Sequence, residues 1–285
     1  MPLRQLLDVP APAKLNLFLH VVGRRDDGYH LLQSVFTLID WADKLHFDRR
    51  QDGQISREDL GNGLPLPQDD LTVRAARLLQ QHTGCSQGVH IGLQKEIPSQ
   101  AGLGGGSSDA ASTLLALNRL WQLGLSTEAL STLGLTLGAD VPFFIGGQHA
   151  WVEGIGESLT PLSLPPARYL VLKPPTGLST PAIFRHPELK RDSKRAIIED
   201  FVANGSIGGP MFGANDLQAV ACGLCPDVAV GLEWFRHNRL EGRMTGSGSA
   251  LFAPVSGDVD TTTLPPDWIS RHCNNLRVHP LFEWR

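Results

Sequence analysis

Gln100-Ala-Gly-Leu-Gly-Gly-Gly-Ser-Ser-Asp-Ala-Ala111 places four glycines within residues 102–106 and runs straight into Ser112-Thr-Leu-Leu-Ala-Leu-Asn-Arg-Leu-Trp121. Glycine reaches positive φ without a steric cost and lets another group approach the backbone, so such a run exposes successive amides. Beyond it, Leu114, Leu117 and Trp121 recur at helical spacing and form an apolar stripe that seats a helix on a core. Ser107 or Ser108 is placed to cap that helix. A helix start held in space and preceded by open amides attracts phosphate, because its unpaired N–H groups and the positive end of its dipole point outward together. A plain flexible connection before a capped helix fits the glycine content equally well. Asp109 suits the dipole but would repel a phosphate unless a cation intervened.

Two common phosphate loops are excluded. No lysine follows the glycines, as a Walker loop requires. The dinucleotide fingerprint needs a third glycine where Ser107 stands and an acidic partner about 20 residues on, yet residues 124–127 carry none before Glu128.

At 285 residues the chain suggests about two domains. A hydrophobic share of 41% suits a folded protein with a real core, and a net charge of −4 gives no global attraction to nucleic acid or an acidic membrane. An anionic ligand must therefore be held locally. Residues 1–12 lack a secretory pattern and no apolar run reaches membrane-span length, so a soluble cytoplasmic protein is expected. Cys85, Cys222, Cys225 and Cys273 are too scattered for a disulfide scaffold. The Cys222-Gly-Leu-Cys225 spacing lacks the second pair a zinc site needs and reads better as structural thiols.

Periodicity predicts strands over 15–22, 89–93 and 169–173, and helices over 71–81, 108–121, 128–137 and 227–238. Residues 49–69 read as a polar excursion with room for a hairpin, and Thr160-Pro-Leu-Ser-Leu-Pro-Pro166 as the linker between domains 1–160 and 161–285. Strict alternation would put Leu15, Leu17 and Leu19 on one strand face, and Lys14, Asn16, Phe18 and His20 on the other. Lys14 and Asn16 can then grip one ligand, or simply line a half-exposed strand. Pro142 biases Val141 toward extended backbone, which places Asp140 at a helix-to-strand corner, as a turn residue or as an acceptor for a substrate proton. A second glycine loop, Thr245-Gly-Ser-Gly248, leads toward a further strand.

Pro12-Ala-Lys-Leu-Asn16, Gly102-Leu-Gly-Gly-Gly-Ser-Ser108 and Thr245-Gly-Ser-Gly248, in that order, resemble the GHMP small-molecule kinases. Ala13-Lys-Leu-Asn-Leu-Phe-Leu19, Asp27-Gly-Tyr-His30 and Leu135-Thr-Leu-Gly-Ala-Asp-Val-Pro142 are most similar to the branch that phosphorylates the 2-hydroxyl of a cytidylated methylerythritol. The resemblance implies a two-domain α+β fold, with a ribosomal-protein-like N-terminal domain, a ferredoxin-like C-terminal domain and catalysis in the cleft between them. It implies ATP as co-substrate with Mg2+, which Ser108 or Asp109 would reach directly or through water. Lys14 and Asp140 become the catalytic pair. Pro98, Gly102, Leu103, Gly104, Gly105, Gly106, Ser107 and Ser108 become the triphosphate loop, and Lys95 stands either to reach the nucleotide or to end a strand in solvent. Gln100 and Ala101 depart from the family, which often has glycines there. Tyr29, His30 and Phe184 become the cytidine clamp, with Thr180 and Asn16 as polar contacts. Tyr29, His30 and Phe184 argue against a homoserine or mevalonate kinase, and the presence of both Lys14 and Asp140 argues against a binding module without chemistry. The implied partners are two small molecules, with no nucleic acid and no membrane. The sequence does not choose between a monomer and a weak dimer.

Overall fold

The computed structural model describes residues 3–61, 66–204 and 211–285. It starts with a long antiparallel pair, β1 (Gln5–Arg24) and β2 (His30–Arg50). Asp27 and Gly28 make the turn between them: Gly28 has φ 90°, and the Asp27 carboxylate accepts from Tyr29 N at 3.2 Å. The strand expected at 15–22 is only the later part of β1. In the first half of β2, Gln33–Ile39 are buried without interruption, so no polar face alternates with an apolar one there; from Asp40 to Asp48 burial does alternate.

Among the described residues of 49–69, with 62–65 outside them, lie the end of β2 and one further strand, β3 (Ile55–Asp59), which pair with β4 and not with each other. β3 pairs in parallel with β4 (Gly88–Gln94), a connection that requires a crossover, here α1 (Leu71–Thr83). The Asp70 carboxylate caps α1 by accepting from Val73 N at 3.1 Å, and Gly84 ends it in the left-handed conformation. Three helices follow, α2 (Gly105–Leu120), α3 (Thr127–Leu135) and α4 (Val141–Gly146), before β5 (Ala150–Glu153) and β6 (Ser158–Pro161). The sheet order is β3-β4-β2-β5-β6, with β1 also paired to β2.

Expected to begin at Ser108, α2 begins three residues earlier, inside the glycine run. Its N-cap is Gly104, which has no side chain to cap with, so neither serine takes that role. The Ser108 hydroxyl instead donates to Pro12 O at 2.7 Å, and that of Ser112, one turn on, to Pro10 O at 2.9 Å. These bonds fasten α2 to the strand that carries Lys14.

The second half of the chain forms a four-stranded antiparallel sheet. β7 (Arg168–Lys173) is followed by α5 (Thr180–Arg185), α6 (Ile198–Asn204), α7 (Gln218–Leu224) and α8 (Pro226–His237), then β8 (Arg243–Met244), β9 (Leu251–Pro254) and β10 (Ile269–Asn274). The order is β10-β7-β9-β8. Leu170, Leu172 and Leu251 pack against Val220, Val228 and Phe235 of α7 and α8. On the opposite face, Tyr169, Val171 and Phe252 meet Leu15, Ile39, Trp41 and Leu103 from the first sheet and the glycine loop. Burial of each such side chain contributes roughly 1.5–3 kcal/mol, so the two sheets share a core rather than a loose contact. Among the described residues no helix is long and apolar enough to cross a membrane. All four cysteines are free thiols.

Candidate active site

The three motifs, far apart in sequence, are tied by hydrogen bonds at the edge of that shared core. Lys14 N donates to Leu103 O at 3.0 Å, and Asn16 N to Thr245 Oγ1 at 2.9 Å. Ala250 N reaches Ala101 O at 3.1 Å, closing the circuit between the two glycine loops. Gly102 has φ 74°, and a Cβ there would lie 2.2 Å from Thr245 O. Gly104 has φ 73°, and its Cβ would lie 2.9 Å from Phe144 Cζ and 3.1 Å from Lys14 Cγ. Both positions demand glycine on conformation and on space. Gln100 also sits at positive φ, 52°, a conformation that glycine adopts more readily than glutamine.

These motifs line a cavity of about 600 Å³. Gly102 to Ser107 line it together with Pro98, Lys95 and Asp109; Lys14, Asn16 and Asp140 line it too, and Thr180 and Phe184 belong to its far end. The first amide of α2 to find an intrahelical acceptor is Ser108 N, bonded to Gly104 O at 2.9 Å. That leaves the amides of Gly105, Gly106 and Ser107 free to receive an anion at the positive end of a 16-residue helix. Ser108 itself is buried, with its hydroxyl turned away to Pro12.

Alternation along β1 breaks between Asn16 and Leu19: Asn16 pairs with Phe36, but Leu19 pairs with Ser34. The bulge turns Leu19 into the cavity beside Lys14 and Asn16 and sends Phe18 into a separate cluster with Val35, Trp151 and Phe201. Strict alternation, which pairs Phe18 with Lys14, therefore fails at this point.

Lys14 is 4% exposed. Its ammonium donates to Asn16 Oδ1, lies 4.6 Å from the centroid of the Phe36 ring, and stands 3.6 Å from Asp140 Oδ2, an ion pair rather than a tight hydrogen bond. Burial lowers the Lys14 pKa from its ordinary 10.5, and the Asp140 charge offsets only part of that. Asn16 accepts from Lys14 and donates one of its two Nδ2 hydrogens to Ser34 Oγ at 3.0 Å, while lining the cavity. It orients the lysine. Asp140 stands at the start of α4 with φ −81° and ψ −15°, between two helices and not at the helix-to-strand corner expected from Pro142. Proline is at home in a first helical turn, where its missing N–H costs nothing. The Asp140 carboxylate makes no capping bond, and its side chain is 29% exposed toward the cavity.

Sequence reasoning missed a buried triad beneath the glycine loop. Lys95 Nζ donates to Asp43 Oδ2 and, at 2.7 Å, to Asp109 Oδ2. Asp43, with no exposed surface, also accepts from the amides of Glu96 and Ile97 at 2.6 and 2.8 Å. Burial works against the charged form of Lys95, but Asp109 and then Asp43 outweigh it and raise its pKa. Burial, with Asp43 adding to it, pushes the Asp109 carboxyl well above the usual carboxylate range despite Lys95. Lys95 is thus not a solvated strand end: two of its three N–H groups hold Asp43 and Asp109, while the residue still lines the cavity. No sequence signal marks Asp43, whose partner is 52 residues away.

At the far end, Thr180 Oγ1 meets Ser247 Oγ at 2.6 Å, joining α5 to the third motif. The His30 and Phe184 rings lie 5.0 Å apart at 33°. Phe184 lines the cavity; His30 touches it only through that ring, and Tyr29 stands 60% exposed on the turn outside.

Residues 70–148 match the GHMP kinases N terminal domain family. The chain is 60% identical to the 4-diphosphocytidyl-2-C-methyl-D-erythritol kinase of Polaromonas sp., over 99% of this chain and 95% of that protein. It is 61% identical to the kinase of the same name from Delftia acidovorans, over 99% and 98% of the two chains. A crystal structure of 4-(cytidine 5'-diphospho)-2C-methyl-D-erythritol kinase superposes with a TM-score of 0.75 at 37% identity, covering 89% of this chain and 90% of that one. The mevalonate kinase of L. major shares the fold, with a TM-score of 0.67 at 13% identity, covering 97% of this chain and 98% of that one. With these relatives across nearly its whole length and all three glycine and lysine motifs converging on one cavity, the chain belongs to the 4-diphosphocytidyl-2-C-methyl-D-erythritol kinase family of the GHMP kinases.

Proposed function

We propose that the chain transfers the γ-phosphoryl group of ATP to the 2-hydroxyl of 4-diphosphocytidyl-2-C-methyl-D-erythritol, in the cytoplasm, as a step toward isoprenoid precursors. One observation carries this reading: an ammonium and a carboxylate 3.6 Å apart line the same cavity as the open amides of a helix start. The amides of Gly105, Gly106 and Ser107 hold the triphosphate. Asp140 accepts the proton of the acceptor hydroxyl as that oxygen bonds to the γ-phosphorus and the bond to ADP breaks. Lys14 stabilises the alkoxide character and the negative charge spread over the transferring group. Phosphoryl transfer asks mainly for alignment and charge compensation, which this arrangement supplies.

Mg2+ accompanies ATP and neutralises phosphate charge that the amides and Lys14 leave uncompensated. Among the described residues no group of three His, Cys, Asp or Glu side chains forms a metal site of its own. Asp109 fits the ion, since its Oδ1 is buried beside the cavity without a hydrogen-bond partner, whereas Ser108 is buried against Pro12 and does not line the cavity. The cytidine end takes Phe184, Thr180, His30 and Tyr29, one ring for stacking and polar edges for base identity. The same reading divides the chain into an ATP-binding and catalytic domain, 1–160, and a C-terminal domain, 161–285.

ADP release with Mg-ATP tests the reading, using the cytidylated methylerythritol, homoserine, mevalonate and no acceptor in parallel. Turnover only with the cytidylated alcohol is expected. Faster turnover of homoserine or mevalonate would overturn the assignment.

A further inference from the structure

Arg191 lies in a run of charged residues with no motif, 161 residues from His30 in sequence, yet its Nε donates to His30 Nε2 at 3.0 Å. The rest of its guanidinium is occupied by main-chain carbonyls. Nη1 reaches Leu189 O at 2.9 Å and Pro187 O at 3.5 Å, and Nη2 reaches His186 O at 2.8 Å and Phe184 O at 3.2 Å. All five N–H groups of the side chain are thereby matched to acceptors. The guanidinium is not available to a substrate phosphate; it wraps the 184–189 segment around itself and holds the two rings of the clamp in one frame.

An arginine side chain does not lose its proton in a protein, so its Nε is always a donor. His30 Nε2 must then be the acceptor. That excludes the imidazolium, in which both ring nitrogens donate, and excludes the tautomer protonated on Nε2. The proton sits on Nδ1, which has no hydrogen-bond partner among the described residues. Burial, followed by the Arg191 and Arg24 charges, lowers the His30 pKa below 6.5 and acts in the same direction.

We propose that Arg191 is a positioning residue that fixes His30 as an Nδ1–H donor, so that the clamp accepts a cytosine and disfavours a uracil. Both bases present an acceptor at O2 and differ at N3, an acceptor in cytosine and an N–H in uracil, so the Nδ1–H sits against N3, where uracil meets the donor with a donor. The proposal rests on the reading of His30 and Phe184 as the cytidine end. It adds a residue and a reason for base identity.

The test begins with the unaltered protein labelled with 15N-histidine. Long-range 1H–15N spectra are expected to show His30 unprotonated at Nε2 and protonated at Nδ1, and the opposite tautomer overturns the proposal without any variant. In Arg191→Met, the KM for the cytidylated substrate is expected to rise about 10- to 100-fold, the effect of one charge-assisted hydrogen bond, with most of the loss in KM rather than kcat and the KM for ATP unchanged. The preference for the cytidylated over the uridylated substrate should fall by a similar factor, and Arg191→Lys should restore part of it. His30→Ala separates the two layers. If it raises KM while Arg191→Met changes neither KM nor the tautomer, the Arg191 proposal is wrong and the clamp stands; if His30→Ala leaves KM unchanged, the clamp reading fails and takes the proposal with it.

Discussion

Replacing Asp140 by asparagine keeps the shape of the side chain and removes its charge, 3.6 Å from an ammonium that is 4% exposed. At that separation the attraction is about 4–5 kcal/mol for an effective dielectric constant of ~20. Asp140 is 29% exposed, so solvent screening and the asparagine dipole reduce the expected loss to about 2 kcal/mol, or about 4–8 °C in Tm. Catalysis should suffer more: loss of general-base assistance lowers kcat about 100- to 10,000-fold, while ATP binding persists at the amides of α2. The stability deficit should also depend on pH. Burial holds the folded pKa of Lys14 below 10.5, so between that lowered value and 10.5 the unfolded chain binds the extra proton and this residue's contribution improves as pH rises. Without Asp140 the folded pKa drops further. The gap in Tm between variant and parent should therefore narrow from pH 7 toward pH 10, as both lysines become neutral. Coupled ADP release and calorimetry across that range make the measurement. A kcat within threefold of the parent would remove Asp140 from the chemistry, and a Tm gap that stays constant with pH would show that the pair is not the charged contact described.

Gly104→Ala forces a side chain into the left-handed region, at about 1–2 kcal/mol, and into contact with Phe144 and Lys14, whereas a Cβ on Gly106 meets only Leu71 Cδ1 at 3.4 Å. The first should reduce kcat/KM for ATP at least tenfold and the second by less than about threefold; equal effects would contradict the assigned geometry. Lys95→Met leaves two buried carboxylates unpaired and should cost about 3–5 kcal/mol in urea unfolding. Asp109→Asn should instead stabilise the fold at pH 7, because a carboxyl whose folded pKa is raised loses stability as pH climbs above its unfolded value of 3.8. That gain should shrink on acidification, and a gain independent of pH would argue against the triad as described. Phe184→Ala should raise KM for the cytidylated substrate about tenfold with KM for ATP unchanged, as expected for one lost stacking face, and a shift in the ATP constant instead would move Phe184 to the other end of the cavity.

The glycine run was readable because its chemistry is local: a turn-forming backbone against a helix start needs no distant partner. Lys14 and Asp140 were readable only as residue types suited to the job. Ser108 and Ser112 fasten α2 to the strand that carries Lys14, but Ser108 reads in sequence as a cap and Ser112 as an ordinary helical residue. Periodicity failed where burial or irregularity removed its premise. Gln33–Ile39 of β2 are buried on both faces, the bulge after Asn16 exchanges Phe18 for Leu19, and Pro142 enters a helix instead of preceding a strand. Asp43 and Arg191 left no trace at all, since each acts through a partner dozens or more residues away that only the folded topology brings near.

A crystal structure with a non-hydrolysable ATP analogue and the cytidylated alcohol tests the account most directly. The terminal phosphorus is expected in front of the Gly105, Gly106 and Ser107 amides, with the acceptor hydroxyl between it and the Asp140 carboxylate and Lys14 alongside. A nucleotide bound with its terminal phosphate remote from Lys14 and Asp140 would contradict it.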